Sequence, residues 1–447
     1  MLCVHLPISV GSYLVPAETY RELWKTPKYI DETTLLLSLG CILAFLVGYF
    51  ANVLLLQGAK SRSVNIFEMT DSRKQFLVGI FEASLALTLF GMAVWFALAI
   101  KRGLSPSHVL LFLQQQSGAS FVLRRNFFRS VPGLTTCTQF AMAAVSIGTC
   151  AYVVTRHKML GYSVLLILFV DAVRSFLLSE RLALMEVAVP LTVIWIHLVS
   201  SRADASQCRK LLLNLAPALG IAGMYILFTV SEAFRSWTFY SKEGGSLLSF
   251  GATRLLGYYS TALNNSALFS KVLDRPGLPY LTQEWLWHMP LVGDVGGSTS
   301  LIMGFQYGTI LKGGGNPEFN NPGGLLLPIL DYGVTFGLLY WCIFGFAIAT
   351  VYRSFKRYEV LGLFLYPIIF VGLLEISRSM YLTDGRTFPS LVFLGLAVIL
   401  CSRRTLAASW KKLRTAQETN PRFSQRFIGT SRKDSAEVGG AHTGLVP

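Results

Sequence analysis

The sequence predicts an all-α polytopic membrane protein, and three observations carry that prediction. Apolar runs recur at about the 18 to 25 residues that cross roughly 30 Å of hydrocarbon as helix. The 447-residue chain is 53% hydrophobic and only 14% charged, with a mean hydropathy of +0.51. Its basic residues crowd alternate connections between those runs, which is the positive-inside pattern. A single loop of about 95 residues, Glu232 to Gly324, interrupts the apolar chain.

Nine spans are expected, near 34–57, 76–100, 133–154, 159–178, 182–200, 211–230, 325–351, 359–377 and 387–402. Residues 1–33 precede them as an apolar or interfacial segment. Met1–Pro16 is short enough to be a tenth span, a clipped one or an interfacial helix. It lacks the basic n-region and small-residue cleavage site of a secretory signal. The remaining organisation is a first transmembrane block over 34–230, the large loop over 231–324, three last spans over 325–402, and a basic tail over 403–447. Beyond Ala416 that tail is rich in Ser, Thr, Gly and Arg, a composition expected to stay disordered.

The formal charge of +15 invites a nucleic-acid reading, and its distribution argues against one. Lys60, Arg62, Arg73 and Lys74, then Arg156 and Lys158, Arg202, Arg209 and Lys210, and Arg353, Lys356 and Arg357 all fall on one side if the spans alternate. The loop carries six basic and six acidic residues. The excess charge therefore reports topology and contact with anionic lipid, and it places the loop on the extracytoplasmic side. No GxxxxGK[ST] string offers a nucleotide site. The seven Cys include no CxxC or Cys/His metal spacing, and no DxD-like pair lies in the external segments, so neither metal nor cofactor is expected.

Several external strings carry candidate chemistry. Segment 101–132 is amphipathic, with Ser105-Pro106 as a helix start and Arg124, Arg125 and Arg129 among Phe residues. It fits an interfacial helix whose Arg snorkel to lipid phosphates, or a rim gripping a lipid-linked pyrophosphate. DAVRSFLLSERLALMEVAVP gathers Asp171, Arg174, Glu180, Arg181 and Glu186 around a tight turn. Charges near a bilayer need partners or a function, so this is a structural ion-pair cluster or a phosphate-binding rim centred on Arg181.

GATRLLGYYSTALNNSALF, read as a short helix, offers Arg254, Tyr258, Tyr259, Asn264 and Asn265. Arg suits phosphate, Tyr a sugar face, and Asn its hydroxyls; a surface helix packed on the bundle is the plainer alternative. LPYLTQEWLWHMP sets His288, a candidate base, beside two Trp that fit membrane anchors. In KGGGNPEFNNPGG, Glu318 stands among Asn316, Asn320 and Asn321 as a candidate general base, unless the stretch is simply a linker. Asp331 in LPILDYG lies about one turn inside the next span, where an acid favours a polar cavity. Arg378, Asp384 and Arg386 close the set from EISRSMYLTDGRTFP, as anchors or as further cations on the same side.

The order of these features resembles the Wzy-type O-antigen polymerases, the oligosaccharide repeat-unit polymerases, over roughly residues 34–402. It rests on SERLALM with Arg181, on RLLGYYSTALNN, on NPEFNN, on LDYGVTFG and on Arg378. Asp331-Tyr332-Gly333 stands where many relatives read Asp-Phe-Gly. The resemblance implies a GT-C-like helical bundle in the bacterial inner membrane, with its active site at the extracytoplasmic face. The substrate would be an undecaprenyl-diphosphate-linked oligosaccharide transferred to a sugar hydroxyl of an incoming lipid-linked repeat, with a chain-length regulator and a flippase as partners. Arg181, Arg254 and Arg378, supported by Arg174, would then hold the diphosphate. Tyr258, Tyr259, Asn264, Asn265, Asn320 and Asn321 would orient sugars, and the base would be Glu318, then His288, then Asp331.

Two other functions fit the same composition. An O-antigen ligase would use the same donor with a different acceptor. A lipid-linked glycan flippase or exporter would spread charge along many spans, whereas here charge gathers at outer span ends, which favours catalysis.

Overall fold

The computed structural model describes residues 2–57, 63–114, 116, 118–131, 133–178, 180–200, 207–237, 240–241, 245–273, 277–287 and 307–402. Met1–Val398 forms one compact unit, to which everything below refers; Ile399–Pro447 is a second, of which only 399–402 are described. Among the described residues the fold is all-α, with one isolated bridge, Asn65 to Glu359.

The helices that matter here are α1 (Leu2–Leu14), α2 (Glu32–Leu55), α3 (Asp71–Lys101), α4 (Ala141–Thr155), α5 (Lys158–Leu178) and α6 (Arg181–Ser200). They continue with α7 (Gln207–Glu232), α8 (Leu247–Val272), α9 (Leu327–Lys356), α10 (Val360–Glu375) and α11 (Phe388–Ser402). Among the described residues, six helices are long and apolar enough to cross a membrane: α2, α3, α4 with its preceding turn (Thr135–Thr155), α5, α7 with its continuation (Asn214–Trp237), and α9. The span expected at 182–200 is the 20-residue α6, apolar over Leu182–Leu198, and those expected at 359–377 and 387–402 are the shorter apolar helices Val360–Glu375 and Phe388–Ser402. At 1.5 Å per residue, a 16-residue α10 reaches about 24 Å, short of a full bilayer core.

Helix faces are inverted relative to a soluble bundle. Helix α2 turns Thr34, Ser38, Cys41, Phe45, Gly48 and Asn52 inward and leaves Leu36, Leu43, Val47 and Leu54 exposed. Small and polar residues let backbones approach, while lipid is as good a solvent for Leu as another helix. Against α9 the approach is close: a Cβ on Gly48 would overlap the Cys342 carbonyl, and one on Gly345 would overlap that of Phe45. Asn52 seals the pair, donating to the Phe346 carbonyl (2.9 Å) and to Thr350 Oγ1 (2.6 Å). Helix α4, buried over its whole first ten residues, is the hub against which α3, α5, α6 and α10 pack.

Helix α1 of the N-terminal segment has 13 residues, about 20 Å, and packs one face on α2 and α8 while Leu2, Leu6 and Leu14 stay exposed. His5, Ser9 and Ser12 point inward; the His5 ring nitrogens lie 2.5 Å from Ser377 Oγ and from the Leu373 carbonyl oxygen.

Alternation of the spans is visible at both ends of the unit. At one end, Ile66 donates to the Tyr358 carbonyl (2.9 Å) and Arg353 to that of Leu56 (2.5 Å), joining two basic connections. At the other, Arg124 pairs with Glu180 (3.5 Å), Arg386 with Glu186 (3.2 Å), and the Gly323 amide with the Arg378 carbonyl (3.0 Å). Residues from the 101–132, 178–183 and 376–387 segments and from the long loop thus converge at this end.

Two local elements differ from expectation. The string from Gly251 lies in α8, a 26-residue helix rather than a short one, capped by Ser246. It is buried on nearly every side from Ser260 to Phe269 because α1, α7 and the 316–324 loop all pack on it. Helix α9 is broken at Gly333 (φ 78°, ψ 174°), a region open essentially to glycine alone. Asp331 therefore sits in a short helical lead ahead of the break, not inside a continuous span.

Candidate functional site

Helix α8 organises the loop. Asn264 accepts from the Tyr29 amide (2.6 Å) and the Ile30 amide (3.3 Å) and donates to the Pro27 carbonyl (2.8 Å). Asn265 donates to the carbonyls of Phe319 (2.7 Å) and Asn321 (2.9 Å), and Ser266 donates to those of Pro322 and Gly323. Both Asn are buried, and their amides are spent on backbone. These two residues, expected to orient sugars, fasten the loop: unpaired loop carbonyls are costly, and two adjacent Asn satisfy them. Asn320 is exposed and gives its carbonyl to Tyr307 Oη (2.5 Å); Asn321 is partly buried.

This fastening brings Glu318 to Arg254. Arg254 is almost fully buried, with Nε 3.3 Å from Glu232 Oε2 and Nη1 2.8 Å from Glu318 Oε2. Its guanidinium carbon lies 4.6 Å from the Phe319 ring centroid, 5.5 Å from Tyr240 and 5.7 Å from Tyr258. Burial alone would pull its pKa down, but Glu232, Tyr258 and Glu318 outweigh burial and raise it, so Arg254 is a fixed cation. Arg235 donates to the Tyr258 hydroxyl (3.1 Å) and lies 3.7 Å from Glu232, while Tyr240 donates to Glu318 Oε2 (2.9 Å).

Beside this network lies a cavity of about 150 Å³ between the start of α6, α7, α8 and the end of α10. Leu182, Met185, Ile221, Met224 and Phe228 give it apolar lining, and Tyr258, Tyr259, Glu375 and Arg378 bring polar groups to it. Arg378 Nε approaches Glu375 Oε2 to 2.6 Å without hydrogen-bond alignment, so both atoms keep unused hydrogen-bonding capacity. Burial would lower the Arg378 pKa, but Glu375 and Tyr259 raise it above its ordinary value.

A second cluster holds the turn between α5 and α6. Arg174 lies 3.3 Å from Asp171 and 3.7 Å from Glu180, and stacks 4.6 Å over the Trp95 ring. Arg386, held above its ordinary pKa chiefly by Glu186 against the effect of burial, pairs with Glu186 (3.2 Å) and Glu180 (3.9 Å). Asp171, Arg174 and Glu186 each keep one buried atom without a hydrogen bond.

The sequence candidates thus divide. Arg254, Glu318 and Tyr258 share one network, with Arg378 and Tyr259 at the adjoining cavity. Arg174 belongs to the second cluster. Arg181 opens α6 next to the cavity-lining Leu182, and its side chain lies outside the described part; His288 lies outside the described residues. Asp331 is diverted from base chemistry: its buried carboxylate accepts from the Leu281 amide (3.0 Å), the Thr282 amide (2.7 Å) and Thr282 Oγ1 (2.7 Å), pinning the 278–287 stretch. Sequence reasoning missed Glu232, Glu375, Tyr240 and Arg235. Glu375 had a signal, lying three residues before Arg378 on one helical turn; Glu232 had none beyond closing a span.

No protein-family model, curated protein or solved structure matches this chain.

Proposed function

We propose that the chain is a membrane glycosyltransferase that polymerises undecaprenyl-diphosphate-linked oligosaccharide repeats at the extracytoplasmic face. The product would be O-antigen, capsule or exopolysaccharide, and the family resemblance supplies that substrate class. The observation that carries the reading is the cavity, with an apolar wall on α6 and α7 and the Glu375–Arg378 ion pair in its lining. A polyprenyl diphosphate has that same division into hydrocarbon and charge. Arg378, and Arg254 one network away, would stabilise negative charge as C1–O of the donor breaks and the diphosphate leaves with the electron pair. Glu318, half-exposed and paired with Arg254, would take the proton of the attacking sugar hydroxyl.

The test is a glycan ladder from a deletion strain complemented with wild type, Arg254→Ala or Arg378→Ala. Collapse to single lipid-linked repeats, restored only by wild type, supports a polymerase with both Arg in its site. Long chains that accumulate unattached to their acceptor would point to a ligase with the same donor, and glycan trapped on the inner leaflet to an exporter.

A further inference from the structure

We infer that Glu318 is a resident anion which the donor diphosphate displaces from Arg254, so that donor binding and release of the base are one event. The inference rests on the polymerase reading above. Arg254 is held by two carboxylates that are not equivalent. Glu232 is wholly buried and also faces Arg235 (3.7 Å) and Ser236 Oγ (3.4 Å), so removing it would strand charge in the interior. Glu318 has a side chain 47% exposed and covers the solvent side of a guanidinium whose own side chain is 7% exposed.

An incoming anion therefore reaches Arg254 where Glu318 sits. Glu232 and Glu318 already balance Arg254 and Arg235, so a diphosphate entering without exchange would meet a neutral group still screened by a carboxylate. Exchange needs only a side-chain rotation. Asn316 caps the one-turn helix Pro317–Phe319, Phe319 is buried, and Asn265 holds the Phe319 carbonyl, so the backbone stays. Both recorded partners of the Glu318 carboxylate, Arg254 Nη1 and Tyr240 Oη, bond Oε2. Once that oxygen is released it accepts the hydroxyl proton. The hydroxyl oxygen forms its bond to C1, and the C1–O bond to diphosphate breaks with the electron pair leaving on the diphosphate.

The experiment titrates inorganic pyrophosphate into the purified full chain in detergent at fixed ionic strength, read by calorimetry. Glu318→Gln should bind pyrophosphate about threefold or more tighter than wild type while making no polymer. Tyr240→Phe, which removes one donor to Glu318, should shift affinity the same way by less. Adding Arg254→Gln to Glu318→Gln should abolish the gain. Unchanged or weaker binding by Glu318→Gln overturns the exchange, and if that variant does not fold, the same result with Tyr240→Phe does so. A ladder that collapses with Arg254→Ala beside unimproved pyrophosphate binding removes the exchange and leaves the polymerase. A normal ladder with no pyrophosphate bound by any form removes both.

Discussion

The Gly323 amide donates to the Arg378 carbonyl at 3.0 Å, tying the loop that carries Glu318 to the segment that carries the cavity's guanidinium. Gly323 adopts φ +69°, and a Cβ there would come 2.6 Å from the Ala262 carbonyl oxygen and Ser266 Oγ. Gly323→Ala should therefore cost at least about 1–3 kcal/mol from the backbone alone. Thermal unfolding in detergent would measure it, and the ladder should shorten although the protein still reaches the membrane. An unaltered unfolding temperature would mean the loop relaxes freely.

Asn264 and Asn265 should behave as structural residues. Either change to Ala strands buried backbone groups, and a loss of about 1–3 kcal/mol is expected for each group left unsatisfied. Pyrophosphate affinity of the folded fraction should stay at the wild-type value for Asn264→Ala. A binding defect at full stability would restore the substrate role.

Asp331→Ala should free the 278–287 stretch. Hydrogen bonds to a charged group contribute about 1.5–3 kcal/mol each, and the carboxylate collects three donors. Limited proteolysis should cut near Leu281 in the variant and spare wild type. Equal resistance in the two proteins would contradict the pinning role.

Asp31 gives a pH dependence with a definite sign. Burial pushes its carboxyl up, but the Thr34 amide and hydroxyl and the Lys271 ammonium together outweigh it and hold it at about 2, below its ordinary 3.8. A depressed carboxyl stabilises the fold above pH 3.8, and that contribution disappears as pH falls towards 2. The difference in helix content between wild type and Asp31→Asn on heating should be constant near neutrality and vanish over that window. A difference that persists at pH 2 would assign the effect to something other than charge.

Much of the fold was legible because lipid imposes few solutions: long apolar runs must be helical, and Arg and Lys placement orders the connections. Span length was harder, since the apolar run over 359–377 continues past the helix end at Glu375 into a turn around Arg378. The site was legible as residue types and not as partners. Arg254 and Glu318 both stood out, yet their 2.8 Å pairing depends on Asn265 holding a loop 56 residues further along the chain. Asn264 and Asn265 look alike whether they face a sugar or a backbone carbonyl, so only the packing of α8 separates those uses. Asp331 does lie about one turn into α9, but the break at Gly333 just beyond it carries no hydropathy signal.

The glycine contact between α2 and α9 also has a consequence in time. Asn52 and Phe346, which seal it, are 294 residues apart. At roughly 5–20 residues per second, a ribosome needs about 15–60 s to deliver the second half of that contact after the first. Throughout that interval α2 waits in the bilayer with Asn52 unmatched, a guest that an insertion factor or another helix must shelter. Crosslinking of ribosome-stalled chains at Gly48 would date the handover, and pairing with α9 should be detected only in chains extended past Lys356.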